Sequence, residues 1–67
     1  MSRELVYGRN PVRELIAAAA RPVHEVRALP RLVREPWLAG VPVRQATRAE
    51  LGRLAGTSDH QGVVALA

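Results

Sequence analysis

The sequence predicts a small α/β domain, a sheet sandwiched by helices in the order β-α-β-α-β-α-β. Three observations lead there. Val12, Leu15, Ile16 and Ala19 recur at i, i+3, i+4 and i+7, the spacing of one buried helix face. Helix-start signals, Asn10-Pro11 and later Thr47 with Glu50 three residues on, alternate with short apolar segments of strand length. The chain closes on the unbroken apolar run Val63-Val64-Ala65-Leu66-Ala67, as expected of a strand covered on both faces. Alternation of this kind favours largely parallel strands with helices on both sides.

Each element has its own local reason. Leu5-Val6-Tyr7 is the first strand, and Gly8 marks the turn out of it. Asn10 reads as the N-cap of the first helix with Pro11 at its first position. Arg21-Pro22 stops that helix, the cation at the favourable end. Val23 to Leu29 reads as the second strand, although His24, Glu25 and Arg27 interrupt a clean alternation. In Pro30 to Gly40, Leu32, Val33, Trp37 and Leu38 could share a helical face, but Pro36 costs a helix about 3 kcal/mol. One or two short turns broken at Pro36 are expected there. Val41 to Gln45 is the third strand, and Pro42 assigns it to a sheet edge. Thr47-Arg48-Ala49-Glu50 forms a capping box, Leu51 and Leu54 follow on one face, and Gly56 ends the helix. Thr57 to Gly62 is a polar loop.

Size and composition bound the function. Sixty-seven residues make one domain of modest stability, spanning residues 1–67. There is no cysteine, which removes disulfides and thiolate metal sites and fits a reducing, cytoplasmic setting. Leu15 to Ala20 is far too short to span a membrane, and the N-terminus has no signal-peptide stretch, so a soluble domain without a membrane partner is expected. The chain ends inside its most apolar strand, which points to a domain cut from a longer protein. Ten arginines and no lysine oppose six acidic residues, for a net charge of +4. That balance favours an acidic partner, nucleic acid first, and arginine is the better residue for bidentate phosphate contacts. Genome composition alone could produce the same arginine content. With only Tyr7 and Trp37 as aromatics, a platform stacking several bases is not expected.

No catalytic signature is present: no phosphate-binding glycine loop, no GxGxxG, no metal-spaced histidine pair. Ser58-Asp59-His60 has hydrolase residue types, but three consecutive residues cannot adopt triad geometry. The isolated domain is therefore expected to be no enzyme, with no metal and no cofactor of its own. The strongest signal lies at the first turn. Arg9 precedes the first helix and Arg13 sits in its first turn, where the helix dipole disfavours cations. Exposed helix N–H groups and two guanidinium groups make an anion site suited to phosphate. Solvated surface arginines are the plain alternative. Arg48, in the first turn of another helix, repeats the argument more weakly.

Tyr7-Gly8-Arg9-Asn10-Pro11-Val12 near the start and Asp59-His60-Gln61-Gly62-Val63-Val64-Ala65 at the end together resemble a known domain. It is the N-terminal substrate-binding domain of the SpoU/TrmH family of RNA 2′-O-ribose methyltransferases, close to the branch acting on 23S ribosomal RNA. Val41-Pro42-Val43, Thr47 to Leu51 and Leu54-Ala55-Gly56 fall where that domain has similar segments, so the resemblance spans essentially the whole chain. It implies a three-layer α/β/α sandwich with a four-stranded mixed sheet, similar to the kink-turn-binding ribosomal proteins. In those, a Gly-x-Asn step at a helix start meets RNA, and Gly8-Arg9-Asn10 stands in the matching place. The resemblance further implies a central last strand antiparallel to the first, which would put Gly8 to Asn10 and Ser58 to Gln61 on one rim. The family usually has a longer helix between the second and third strands, where this chain has the short, proline-broken Pro30 to Gly40.

Gly8, Arg9, Asn10, Arg13, Arg48, Ser58, His60 and Gln61 are thus the candidate RNA-binding residues. Arg9 and Arg13 would meet phosphates, while Gly8 allows close backbone approach. His60 and Gln61 would address an unpaired base or ribose hydroxyl, or else fix the turn into the last strand. The resemblance implies a ribosomal RNA partner and a role in rRNA processing. It also implies a C-terminal methyltransferase domain that binds S-adenosylmethionine, and a homodimeric parent. Two other readings remain at this level: a protein-interaction or scaffolding domain docking through Trp37 and Leu38, and a stand-alone kink-turn RNA binder. Trp37 itself reads as a core or domain-interface anchor.

Overall fold

The computed structural model describes residues 4–18 and 23–67. Strand β1 spans Leu5–Tyr7, helix α1 Arg9–Ala18, β2 Glu25–Ala28, β3 Val43–Gln45, α2 Arg48–Ala55 and β4 Val63–Leu66. Between β2 and β3 lies a single 3₁₀ turn, Pro36–Leu38, in place of a third α-helix. The expected places of Ala19 and of the Arg21-Pro22 stop lie outside the described residues.

The four strands form one mixed sheet in the order β1-β4-β2-β3. β4 is antiparallel to both its neighbours, and only β2 and β3 run parallel. The largely parallel sheet expected from alternation alone is therefore corrected. The mixed sheet implied by the family resemblance is what the chain forms. β3 lies at an edge, and the Pro42 carbonyl still accepts from Val26 N at 2.8 Å, so proline costs the ladder nothing there.

Burial explains the apolar tail. Val63, Val64 and Ala65 are 0% exposed, and their pleat alternates between two layers. Val63 and Ala65 pack with Val12 of α1, with Val26 and Ala28 of β2, and with Leu38 of the 3₁₀ turn. Val64 packs with Leu51 of α2 and Ala46 on the opposite face. β2 also alternates, but in a different frame from the Val23, Val26, Leu29 set: Val26 and Ala28 point to the α1 layer. Glu25 and Arg27 take the other face, because the eight-residue α2 packs on β4 and β1 and leaves β2 partly uncovered. Arg27 Nε donates to Glu25 Oε2 at 2.7 Å, and Arg44 Nε lies 3.7 Å from the other carboxylate oxygen.

Pro36 starts its turn instead of breaking one. Glu35 before it is extended (φ −63°, ψ 134°), as a residue preceding proline prefers, and a missing N–H is harmless at a helix start. The segment advances by i→i+3 bonds, Leu32 N to Leu29 O, Glu35 N to Leu32 O and Leu38 N to Glu35 O. That compact path lets so short a connection join two parallel strands.

The α2 cap is as the sequence predicts. Glu50 N donates to Thr47 Oγ1 at 3.1 Å, Thr47 N donates to Glu50 Oε1 at 3.0 Å, and Gly56 closes the helix at φ +73°. The Thr47 backbone N–H, then its hydroxyl, holds the Glu50 carboxyl below its ordinary 4.5. The Arg27 hydrogen bond does the same for Glu25, against partial burial. The folded chain thus binds these protons less tightly than the unfolded chain. Their stabilisation is complete above about pH 4.5 and is lost as the pH falls through the lowered values. The urea midpoint should hold level down to that point and then decline. A Glu25→Gln/Glu50→Gln variant should decline less steeply; an identical acid profile would show that other groups are responsible.

Candidate functional site

Strands β1, β2 and β3 run one way and β4 the other, so the segments leaving the first three and the segment entering β4 meet at one rim. The register fixes this: Tyr7 lies opposite Val64, Ala28 opposite Val63, and Ala28 beside Gln45. Residues 8–13, 29–32, 46–48 and 60–62 are thereby gathered at one end of the sheet.

The turn out of β1 depends on Gly8. Its φ is +98°, a conformation that glycine adopts without strain, and its N–H donates to Val63 O at 3.2 Å. Its carbonyl accepts from Val12 N at 3.1 Å, the first helical bond of α1. Gly8 therefore holds the capping position, and Asn10 is the second residue of the helix, not its N-cap. Pro11 is correspondingly the third helical residue, where its missing N–H still costs nothing. The side-chain cap comes from Gln61, 52 positions away, whose Oε1 accepts from Arg9 N at 2.9 Å.

The loop entering β4 is wound tightly to make that contact. Gln61 and Gly62 have φ of +56° and +84°, two left-handed residues in succession. Gly62 N donates to His60 Nδ1 at 3.0 Å, and the His60 side chain is 0% exposed. This corrects His60 as an RNA contact: it is buried beneath the rim and fixes the turn, the other role open to it. With Nδ1 accepting, the neutral ring carries its proton on Nε2, which is buried without a partner among the described residues. Ser58 is exposed in the same loop but does not line the depression described next.

Arg9, Asn10, Arg13, Arg31, Leu32, Arg48 and Gln61 enclose an open depression of about 690 Å³. All four arginines are exposed, and no acidic residue lines it. Arg9, Asn10, Arg13, Arg48 and Gln61 thus meet, with Gly8 buried directly beneath. Arg31 was missed by sequence reasoning. Its only signal is positional: it follows the end of β2, and it reaches the rim once the direction of β2 in the sheet is fixed. Next to this depression, across α1, Asn10, Arg13, Glu14, Ile16, Ala17 and Trp37 line a second groove. The Arg13 guanidinium carbon lies 5.8 Å from the centre of the Trp37 ring.

Four guanidinium groups around a helix N-terminus suit an extended polyanion, since each offers a planar fork of donors to a phosphate. No helix among the described residues is long and apolar enough to cross a membrane. The fold and rim define a small α/β module with an arginine-lined edge. Residues 5–67 match the family model described as RNA 2′-O ribose methyltransferase substrate binding (SpoU), and the chain belongs to that family. It is an RNA substrate-binding domain of these methyltransferases, distinct from their catalytic part. Comparison with curated proteins gives no match.

Proposed function

We propose that the four-arginine rim holds consecutive phosphates of a ribosomal RNA substrate and presents it to an attached methyltransferase domain. The catalytic domain would bind S-adenosylmethionine and supply the chemistry; this domain supplies position. The parent is then a cytoplasmic, homodimeric 2′-O-ribose methyltransferase acting in rRNA processing. The observation that carries the reading is the convergence of Arg9, Arg13, Arg31 and Arg48 on one depression free of acidic residues. Gln61 and Asn10 complete the rim, with the buried Gly8 turn supporting them from below, and Ser58 flanks it. Phosphate contacts of this kind fix orientation without reading sequence.

Because few charges take part, binding is weak and sensitive to salt. Four arginine–phosphate contacts to an unpaired strand give a log–log salt slope of about −3. In a titration of the labelled protein with a ribosomal RNA hairpin, amide shifts should centre on residues 8–13, 31, 48 and 57–62 and fade as salt rises. Arg31→Ala should reduce the slope by about 0.7. Shifts on the far end of the sheet, or binding indifferent to salt, would refute the assignment.

A further inference from the structure

We propose that the groove beside the arginine rim is a subsite for one unpaired nucleobase bearing an exocyclic amino group. The proposal rests on the rim holding RNA and deepens it. The groove, about 540 Å³, falls in the size range of small-ligand clefts and shares Asn10 and Arg13 with the rim. A strand whose phosphates lie along Arg9, Arg31 and Arg48 therefore continues into it without a break.

Its chemistry differs from that of the rim. The rim is lined by arginines, one asparagine, one glutamine and Leu32, whereas the groove presents the Trp37 indole, Ile16, Ala17 and the exposed carboxylate of Glu14. A carboxylate repels a phosphate but accepts hydrogen bonds from a base. Adenine, cytosine and guanine offer an exocyclic amino donor at the base edge, whereas uracil offers only its ring N3–H, flanked by two carbonyl oxygens that the carboxylate repels. Trp37 is half-buried against the cluster containing Val12 and Leu38, so its ring is held in place before any ligand arrives.

Arg13 links the two sites. Its guanidinium lies over the indole and lines both depressions. An exposed cation–π pair is weaker than stacking of a base on an aromatic ring. The base takes the ring face, and the guanidinium moves to the phosphate beside that base. A single tryptophan accommodates a single base, in keeping with a chain that has one Trp and one Tyr.

The single tryptophan also makes the test direct, because fluorescence excited selectively at tryptophan reports this groove alone. The protein is titrated with oligoadenylate, oligocytidylate and oligouridylate of equal length, and with inorganic polyphosphate as a probe of the rim only. Oligoadenylate and oligocytidylate should quench Trp37 well beyond oligouridylate, and polyphosphate should bind without that quench. Trp37→Leu should weaken oligoadenylate binding on the order of 10-fold and leave polyphosphate affinity unchanged. Glu14→Gln, at an exposed position, should bring oligouridylate level with the other two. Oligonucleotide binding with salt-sensitive rim shifts but a silent Trp37 overturns the base subsite and leaves the rim reading intact. Equal quenching by polyphosphate overturns it too, since displacement of Arg13 would then account for the signal. If no oligonucleotide binds, both readings fall.

Discussion

Gly62→Ala should cost the domain about 2–4 kcal/mol, from the left-handed backbone and overpacking together. A 67-residue domain has a total stability on the order of 3–10 kcal/mol, so much of the population would unfold. At φ +84° an L-residue is strained whatever its surroundings, and an added Cβ would lie 2.9 Å from both Leu29 Cδ1 and Leu32 Cδ1. Those methyls belong to flexible side chains, but Leu32 is only 6% exposed, so its rotation disturbs the core that Val26, Ala28, Val63 and Ala65 form with Val12 and Leu38. Gly56→Ala separates the two effects. There φ is +73° and no atom lies within 4 Å, so the backbone term acts alone, at about 1–2 kcal/mol. Urea denaturation of both variants checks this. Equal midpoints for the two would show that the leucines make room at no cost.

His60→Ala should destabilise the fold by a similar amount, about 2–4 kcal/mol, through a buried void and an unpaired Gly62 N–H. Its second consequence reaches the rim. His60 holds the turn that aims Gln61 at Arg9, so the Arg9 amide should exchange with solvent faster than in the parent protein. His60→Asn should recover part of the loss, because a short side-chain acceptor bonding two residues onward is the usual Asx-turn geometry. The Arg9 amide would remain as protected as in the parent if Gln61 were held by something other than this turn. Equal stability of the alanine and asparagine variants would mean that the Nδ1 bond carries no weight.

Local signals carried much of the fold. Thr47 and Glu50 lie three residues apart and cap each other, so their box was legible without any tertiary information. β1 was legible from three apolar residues before a glycine, and the burial of β4 on both faces from its unbroken apolar run; its central place in the sheet was implied by the family resemblance. Where local signals compete, the reading slipped. Asn10-Pro11 has the composition of an N-cap followed by a first helical residue, yet the helix begins at Arg9 because Gly8 O and Gln61 Oε1 take over its first turn. In β2, the inward pair is Val26 and Ala28; alanine is too small to stand out in a hydropathy pattern.

The candidate site divides the same way. Arg9, Arg13 and Arg48 were legible because a cation in a helix's first turn opposes the dipole, a conflict visible in sequence. Arg31 carried no such conflict, and its place on the rim follows only from the direction of β2.

The sequence by itself determined the order and kind of nearly every element, the α2 cap and the buried last strand, because periodicity, capping and composition act over a few residues. Only the tertiary structure decided that Arg31 joins the rim, that His60 lies beneath it, and that Gln61 caps a helix 52 positions away. Those outcomes depend on β4 pairing antiparallel with both β1 and β2, and pairing between distant strands is a property of the assembled sheet that no short window of residues encodes.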